Sequence, residues 1–234
     1  MGNGIPFSLP MNTLRAIFLS LIITLPLSGV CQYRVSGRIT IQKQGKKKIL
    51  GRDTRYGAFQ SKVGNSANSP LLDPDNNIIV SFHPKDFRPT LFATQNAYIT
   101  QVNQRFIPQV LPVVVGSVVY FLNEDNEYHN VYSRTPRSAF NIGRRSPGNT
   151  YPQKIQKTGV INVSCDIHPH MSAVVLSLDT PYFTRVQPNG TYSIEGLPAG
   201  RYSVRLFHKF MGTMSQEVEV RGNTAQLNFA LSEN

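Results

Sequence analysis

Between residues 97 and 178 the chain is a succession of short apolar segments broken by Gly, Pro, Asn or Asp. No segment after residue 31 repeats its apolar positions at the 3.6-residue spacing of a helix. This rhythm constrains the fold more than any other feature. Segments 98–102, 109–114, 117–123, 130–133, 154–156, 159–165 and 173–178 read as strands with turn residues between them. Short strands hide an apolar face only by packing against a second sheet, so the expected architecture is an all-β Greek-key sandwich. The loop 135–151 has room for one turn of helix.

The flanking regions are also β in character. Segment 33–42 alternates through Val35, Gly37, Ile39 and Ile41 as a half-buried strand does, and 78–82 is a second, shorter apolar strand. Between them, 43–76 is rich in Gly, Lys, Asn, Ser and Pro and reads as a long loop. The leading region 32–96 is then either an extra edge of the central sandwich or a small sandwich of its own. Beyond residue 179, Asn189-Gly190 predicts a hairpin between 183–186 and 191–194. Leu197-Pro198-Ala199-Gly200 predicts a tight turn into 202–207, followed by strands at 217–220 and 225–230.

The first 31 residues stand apart. Arg15 precedes an apolar run over 16–27 that ends in Ser28-Gly29-Val30-Cys31, the pattern of a secretory signal whose start is Met1 or Met11. The run is short for a membrane span. Export to the periplasm is the expectation, with an extracellular protein, or one lipid-anchored at Cys31, as the alternatives; the bulk of Val30 opposes the anchor. Membrane association is expected only through such a retained anchor. If Cys31 leaves with the signal, Cys165 is the remaining cysteine. A lone thiol in an oxidising compartment favours a metal over a disulfide. A Cys31–Cys165 disulfide is the competing use, and it leaves His129, His168 and Met171 without a task.

The formal net charge is +11, from 24 basic and 13 acidic residues. Such a surface draws acidic partners or anionic membrane. The basic residues concentrate in loops, as at Lys43, Lys46, Lys47, Lys48, Arg52 and Arg55, and no nucleic-acid module accompanies them, so nucleic acid is not an expected partner. A solvated basic face is the plainer reading of the same charge.

The chemistry is concentrated in Cys165-Asp166-Ile167-His168-Pro169-His170-Met171, preceded by His129 in Glu127-Tyr128-His129-Asn130-Val131. A loop this short can aim a thiolate, an imidazole and a thioether at one point. With a second imidazole from His129, two nitrogens and one sulfur form a trigonal set, and the thioether adds a long, weak axial contact; that combination suits copper. Zinc competes for any Cys/His site but prefers four firm ligands. Each residue also has an ordinary use: Cys165 as a small buried hydrophobe, Met171 as core filler, the histidines as surface residues. His83 and His208 read as surface residues, and His170 as a neighbour of His168 outside the ligand set.

The loop spacing Cys-x-x-His-x-x-Met, together with the apolar strand and acidic turn that lead to His129, resembles the blue copper proteins (cupredoxins), in particular the amicyanin and plastocyanin-like branch. Gln101, Phe106, Pro108, the segment 115–123 and Thr180-Pro181-Tyr182-Phe183 extend the resemblance to exported proteins of the methylamine-utilisation-like type. Gly190-x-Tyr192-x-Ile194 followed by Leu197-Pro198-x-Gly200-x-Tyr202 is similar to transthyretin-like, carboxypeptidase-regulatory-like modules. The implied organisation is a signal peptide at 1–31, an N-terminal β/loop region at 32–96, a copper-binding cupredoxin domain at 97–178 and a transthyretin-like module at 179–234.

The resemblance further implies one type 1 copper per chain, held by His129, Cys165, His168 and Met171. Asn130 would tie the ligand loop in place, and electrons would pass through the edge of His168, rimmed by Pro108, Pro169 and His170. The implied activity is one-electron transfer with redox-protein partners, acidic ones given the local arginines, and not catalysis. Ser164 and Asp166 flank Cys165 where multicopper enzymes place a histidine, and no nucleophile motif, paired-carboxylate motif or phosphate loop is present. Two alternatives stand beside this reading: a copper protein for storage, delivery or sensing, and a metal-free adhesion sandwich. One departure from the family pattern is the long interval from His129 to Cys165, which carries Arg134, Arg137, Arg144 and Arg145.

Overall fold

The structure, a computed structural model, describes residues 32–42, 77–224 and 226–232. The signal segment, Cys31 and the 43–76 loop lie outside the described residues. Among those described there is no helix. The strands are β1 (Gln32–Gln42), β2 (Ile78–Pro84), β3 (Ala97–Val102), β4 (Arg105–Ile107), β5 (Val110–Val114), β6 (Val118–Asn123), β7 (His129–Ser133) and β8 (Phe140–Arg145). They continue as β9 (Thr150–Lys154), β10 (Gly159–Ser164), β11 (Ser172–Leu178), β12 (Phe183–Arg185), β13 (Thr191–Pro198), β14 (Gly200–His208), β15 (Gly212–Val220) and β16 (Phe229–Ser232).

These strands form four sheets, ordered β13-β1-β16, β12-β2-β14-β15, β5-β11-β10-β7-β8 and β4-β3-β6-β9. Three apolar layers join them. Val35 and Ile39 of the first sheet meet Val80, Phe82, Tyr202 and Leu206 of the second. Ile79 and Phe207, on the other face of the second sheet, meet Val110, Val174 and Leu176 of the third. Val131, Val163, Ala173 and Val175 of the third meet Ile99, Val119 and Phe121 of the fourth. A fully buried Phe or Ile in such a layer contributes on the order of 1.5–3 kcal/mol.

The layering explains the run Ile78-Ile79-Val80-Ser81-Phe82-His83. A strand covered on one face alternates, whereas β2 is covered on both and is buried from Ile78 to His83. It also resolves the leading region. β1 lies between β13 and β16, pairing antiparallel with the first and parallel with the second. β2 lies between β12 and β14. The strands at both ends of the chain therefore complete the same two sheets, and the sheets that carry 97–178 are built from the segment between them. The pairing partners lie more than a hundred residues apart, so no local pattern announces them.

Three local expectations are corrected. Asn189-Gly190 makes its turn, with Gly190 N–H donating to Gln187 O at 2.8 Å, but β12 and β13 belong to different sheets. The turn is a corner between layers, because Val186 and Tyr192 both bury into the core that the two sheets share. The segment 135–151 contains no helical turn; β8 lies within it and pairs with β7, and β9 runs over Thr150–Lys154 rather than 154–156. Neither His83 nor His208 is a surface residue, at 7% and 4% exposure. His208 Nδ1 accepts the backbone N–H groups of Phe210 and Met211, both at 3.1 Å, and so holds the turn after β14.

Candidate metal centre

The loop that carries three of the expected ligands is closed by sheet register. Ser164 and Ser172 are cross-strand partners at the ends of β10 and β11, so residues 165–171 must bridge one strand-to-strand step. Two main-chain bonds tighten the loop: Met171 N–H to His168 O at 3.0 Å and Cys165 N–H to Met171 O at 3.4 Å. His129 opens β7, which reaches β10 through the pair Ser164 and Tyr132. Adjacent strands thus present the histidine and the loop side by side.

The side chains converge. One ligand atom from each of His129, Cys165 and His168 lies within 4.8 Å of the other two. His129 Nδ1 is 3.0 Å from His168 Nδ1 and 3.9 Å from Cys165 Sγ. His129 is fully buried, Cys165 is 2% exposed and His168 is half-buried. Met171 is 1% exposed and packs in the same apolar cluster as Cys165, which serves a thioether ligand and a core side chain equally.

Two carboxylates from the acidic turn before β7 hold the outer nitrogens of both rings. Asp125 Oδ2 lies 2.8 Å from His129 Nε2, and Glu127 Oε2 lies 3.2 Å from His168 Nε2. Asp125 is itself gripped by the β3–β4 turn, whose Asn103 and Gln104 N–H groups donate to it at 2.5 and 2.9 Å. Those two residues take φ of 52° and 54°, a conformation that turns successive N–H groups toward one anion. Burial pushes the Asp125 carboxyl up, but the Gln104 N–H, the bond to His129, the Asn103 N–H and the histidine's charge outweigh it and hold the group below the usual carboxylate range. Gln104 Nε2 also donates to Glu127 Oε2 at 3.1 Å.

This arrangement decides the chemistry of the donor set. A carboxylate only accepts, so the hydrogen it holds is on Nε2 of each ring, and the two Nδ1 atoms are left turned toward one another. Two ring nitrogens 3.0 Å apart are held at that distance by a proton or a metal cation between them. A thiol beside them is the third donor. Two ring nitrogens and a sulfur are a donor set that fits a soft cation.

The remaining expected residues fall around this centre. The side chain of Asn130 is buried, with Oδ1 accepting no hydrogen bond. His170 is exposed, its ring 6.0 Å from that of His168, and Pro169 is exposed beside it. Pro108 is half-buried after β4. Of the arginines, Arg144 lies 3.8 Å from Asp166, and Arg145 stacks at 4.0 Å over Tyr151. Arg134 lines a cleft of about 400 Å³ with Asn130, Tyr132, Phe140 and Asp166, next to Cys165. Sequence reasoning passed over Asp125 and Glu127 as turn residues. For Asp125 the signal was its place four residues before His129, which returns its side chain to that ring; Glu127 reaches His168 of the distant loop, which no local spacing announces.

No protein-family model matches the chain, and no curated protein matches it. Solved structures with local likeness include the purple cupredoxin of Nitrosopumilus maritimus, 22% identical over 36% of this chain and 100% of that one, at a TM-score of 0.33. Amicyanin of Paracoccus versutus is 19% identical over 36% of this chain and 84% of its own, at 0.33. A copper-containing nitrite reductase of Thermus scotoductus is 23% identical over 46% of this chain and 27% of its own, at 0.34.

Proposed function

We propose that the chain is an exported, periplasmic protein that holds one copper ion as a type 1 centre through His129, Cys165, His168 and Met171 and passes single electrons between redox proteins. The observation that carries this reading is the meeting of the His129 and His168 Nδ1 atoms at 3.0 Å beside a buried thiol. Copper supplies a one-electron couple, and a trigonal set of two nitrogens and a sulfur with a soft axial contact suits both of its oxidation states.

The protein's own residues do the rest. Asp125 and Glu127 fix the ring tautomers and orientations, and the Ser164–Ser172 register keeps the loop from moving when charge changes at its centre. The apolar layer around Cys165 and Met171 excludes water from the inner side. His168, the half-buried member of the set, gives the shortest route outward, past Pro169 and His170. Asn130 is assigned to steadying the ligand loop. The basic surface beside the centre favours an acidic partner.

A second reading is copper storage or delivery. It is favoured by one contact: Glu127 covers the outward nitrogen of His168, the atom through which a partner would take the electron. Adding Cu(II) to purified mature protein tests both. Intense visible absorption from thiolate to copper, lost in Cys165→Ser, supports the site, and reversible voltammetry separates carrier from store. A protein that stays colourless and binds no copper defeats both.

A further inference from the structure

The interface between the second and third sheets contains a cluster unrelated to the metal centre. Ser81 and His83 stand two residues apart on β2 and so share one of its faces. Ser81 Oγ is 3.0 Å from His83 Nε2, and His83 Nδ1 is 2.6 Å from Asp179 Oδ1. Asp179 follows β11, so the chain of contacts joins the second sheet to the third. All three residues line a cavity of about 180 Å³ whose walls include Val160, Leu176, Phe207 and Arg205.

We propose that Ser81, His83 and Asp179 act as nucleophile, general base and orienting acid in the hydrolysis of small acyl esters within this cavity. The order of contacts is the one such chemistry needs. A carboxylate on Nδ1 holds the hydrogen there and leaves Nε2 as an acceptor for the serine hydroxyl. The hydroxyl has a second acceptor, Arg205 O, at the longer distance of 3.4 Å. Burial first, and then the Arg205 charge, push the His83 pKa down, against the pull of Asp179, so the ring is neutral and able to take a proton at neutral pH. Arg205 is also the cation available to the oxyanion.

In the first half-reaction Ser81 Oγ bonds to the ester carbonyl carbon as its proton moves to His83 Nε2. The bond from that carbon to the alcohol oxygen then breaks, and the departing alcohol takes the proton from Nε2. Water repeats the sequence on the acyl-serine, releasing the carboxylic acid and restoring the hydroxyl. No other reactant is required. The cavity, at about 180 Å³, suits an acetyl or propionyl group with part of its alcohol.

The test is acylation of the mature protein by p-nitrophenyl acetate, run in parallel on Cys165→Ser so that the thiol cannot be the acceptor. The expected result is a burst of one nitrophenolate per chain, with one added acetyl group located on Ser81 by peptide mass analysis. Ser81→Ala should lose the burst, and Asp179→Asn should slow it by a factor on the order of 10²–10⁴. Locating the acetyl group on the unsubstituted serine does not depend on any variant folding. Acetyl found only on lysine, no acetyl at all, or a burst that survives Ser81→Ala overturns the proposal. None of these outcomes bears on copper binding.

Discussion

Asp125 Oδ2 and His129 Nε2 lie 2.8 Å apart with the histidine fully buried, so the ring is oriented from behind by an anion that the β3–β4 turn already holds. Removing the anion while keeping the shape isolates its effect. Asp125→Asn should weaken Cu(II) and Zn(II) binding by about 10–100-fold, since partners of this kind fix both tautomer and basicity. Competition titration against a chelator of known affinity measures it, and an unchanged constant would contradict the role given to Asp125.

Glu127 does the same for His168 from a more exposed position, its side chain 55% accessible. Glu127→Gln should raise the reduction potential of the copper-loaded protein, because a nearby negative charge favours the more highly charged oxidation state. The shift should be smaller than for Asp125→Asn and should shrink with added salt. Voltammetry at low and high ionic strength gives both numbers; a shift that is larger and independent of salt would place the effect elsewhere.

His83 predicts an acid-side loss of stability. Its folded pKa lies below the ordinary 6.5, from burial and then Arg205, so the unfolded chain binds the proton more readily than the native one. Stability from this group is intact above pH 6.5 and falls as pH drops through that value toward the lower folded pKa. Urea unfolding of wild type and His83→Gln at pH 7.5 and about pH 5 should show a smaller loss in the variant. Equal losses would show that His83 titrates alike in both states.

Gly37 lies in β1 under the chain segment that returns beside it. A Cβ there would fall 1.9 Å from the backbone oxygen of Leu227 and 3.0 Å from the Tyr192 ring. The same oxygen accepts the Tyr192 hydroxyl at 2.6 Å, so it has little freedom to retreat. Gly37→Ala should cost about 2–4 kcal/mol and lower the unfolding midpoint accordingly. A midpoint within a degree of wild type would mean the segment shifts freely.

The all-β character and most strand positions were legible because each rests on a pattern a few residues long. The spacing of Cys165, His168 and Met171 was legible for the same reason. β4, β8 and β9 escaped because short, half-exposed edge strands such as Phe140–Arg145 bury too little to imprint an alternation. The buried state of His83 escaped because β2 is covered by two different layers, and neither is near it in sequence.

By itself, the sequence determined those properties that neighbours along the chain enforce: a strand-and-turn chain, and a seven-residue loop able to bring sulfur, nitrogen and sulfur to one place. Tertiary structure alone decided which sheets the first and last strands complete, that Asp125 and Glu127 turn their carboxylates onto two imidazoles, and that Ser81, His83 and Asp179 meet. Local spacing sets what a short segment can reach. Contacts between distant segments depend on which apolar faces find cover, and that balance is struck by the whole fold at once.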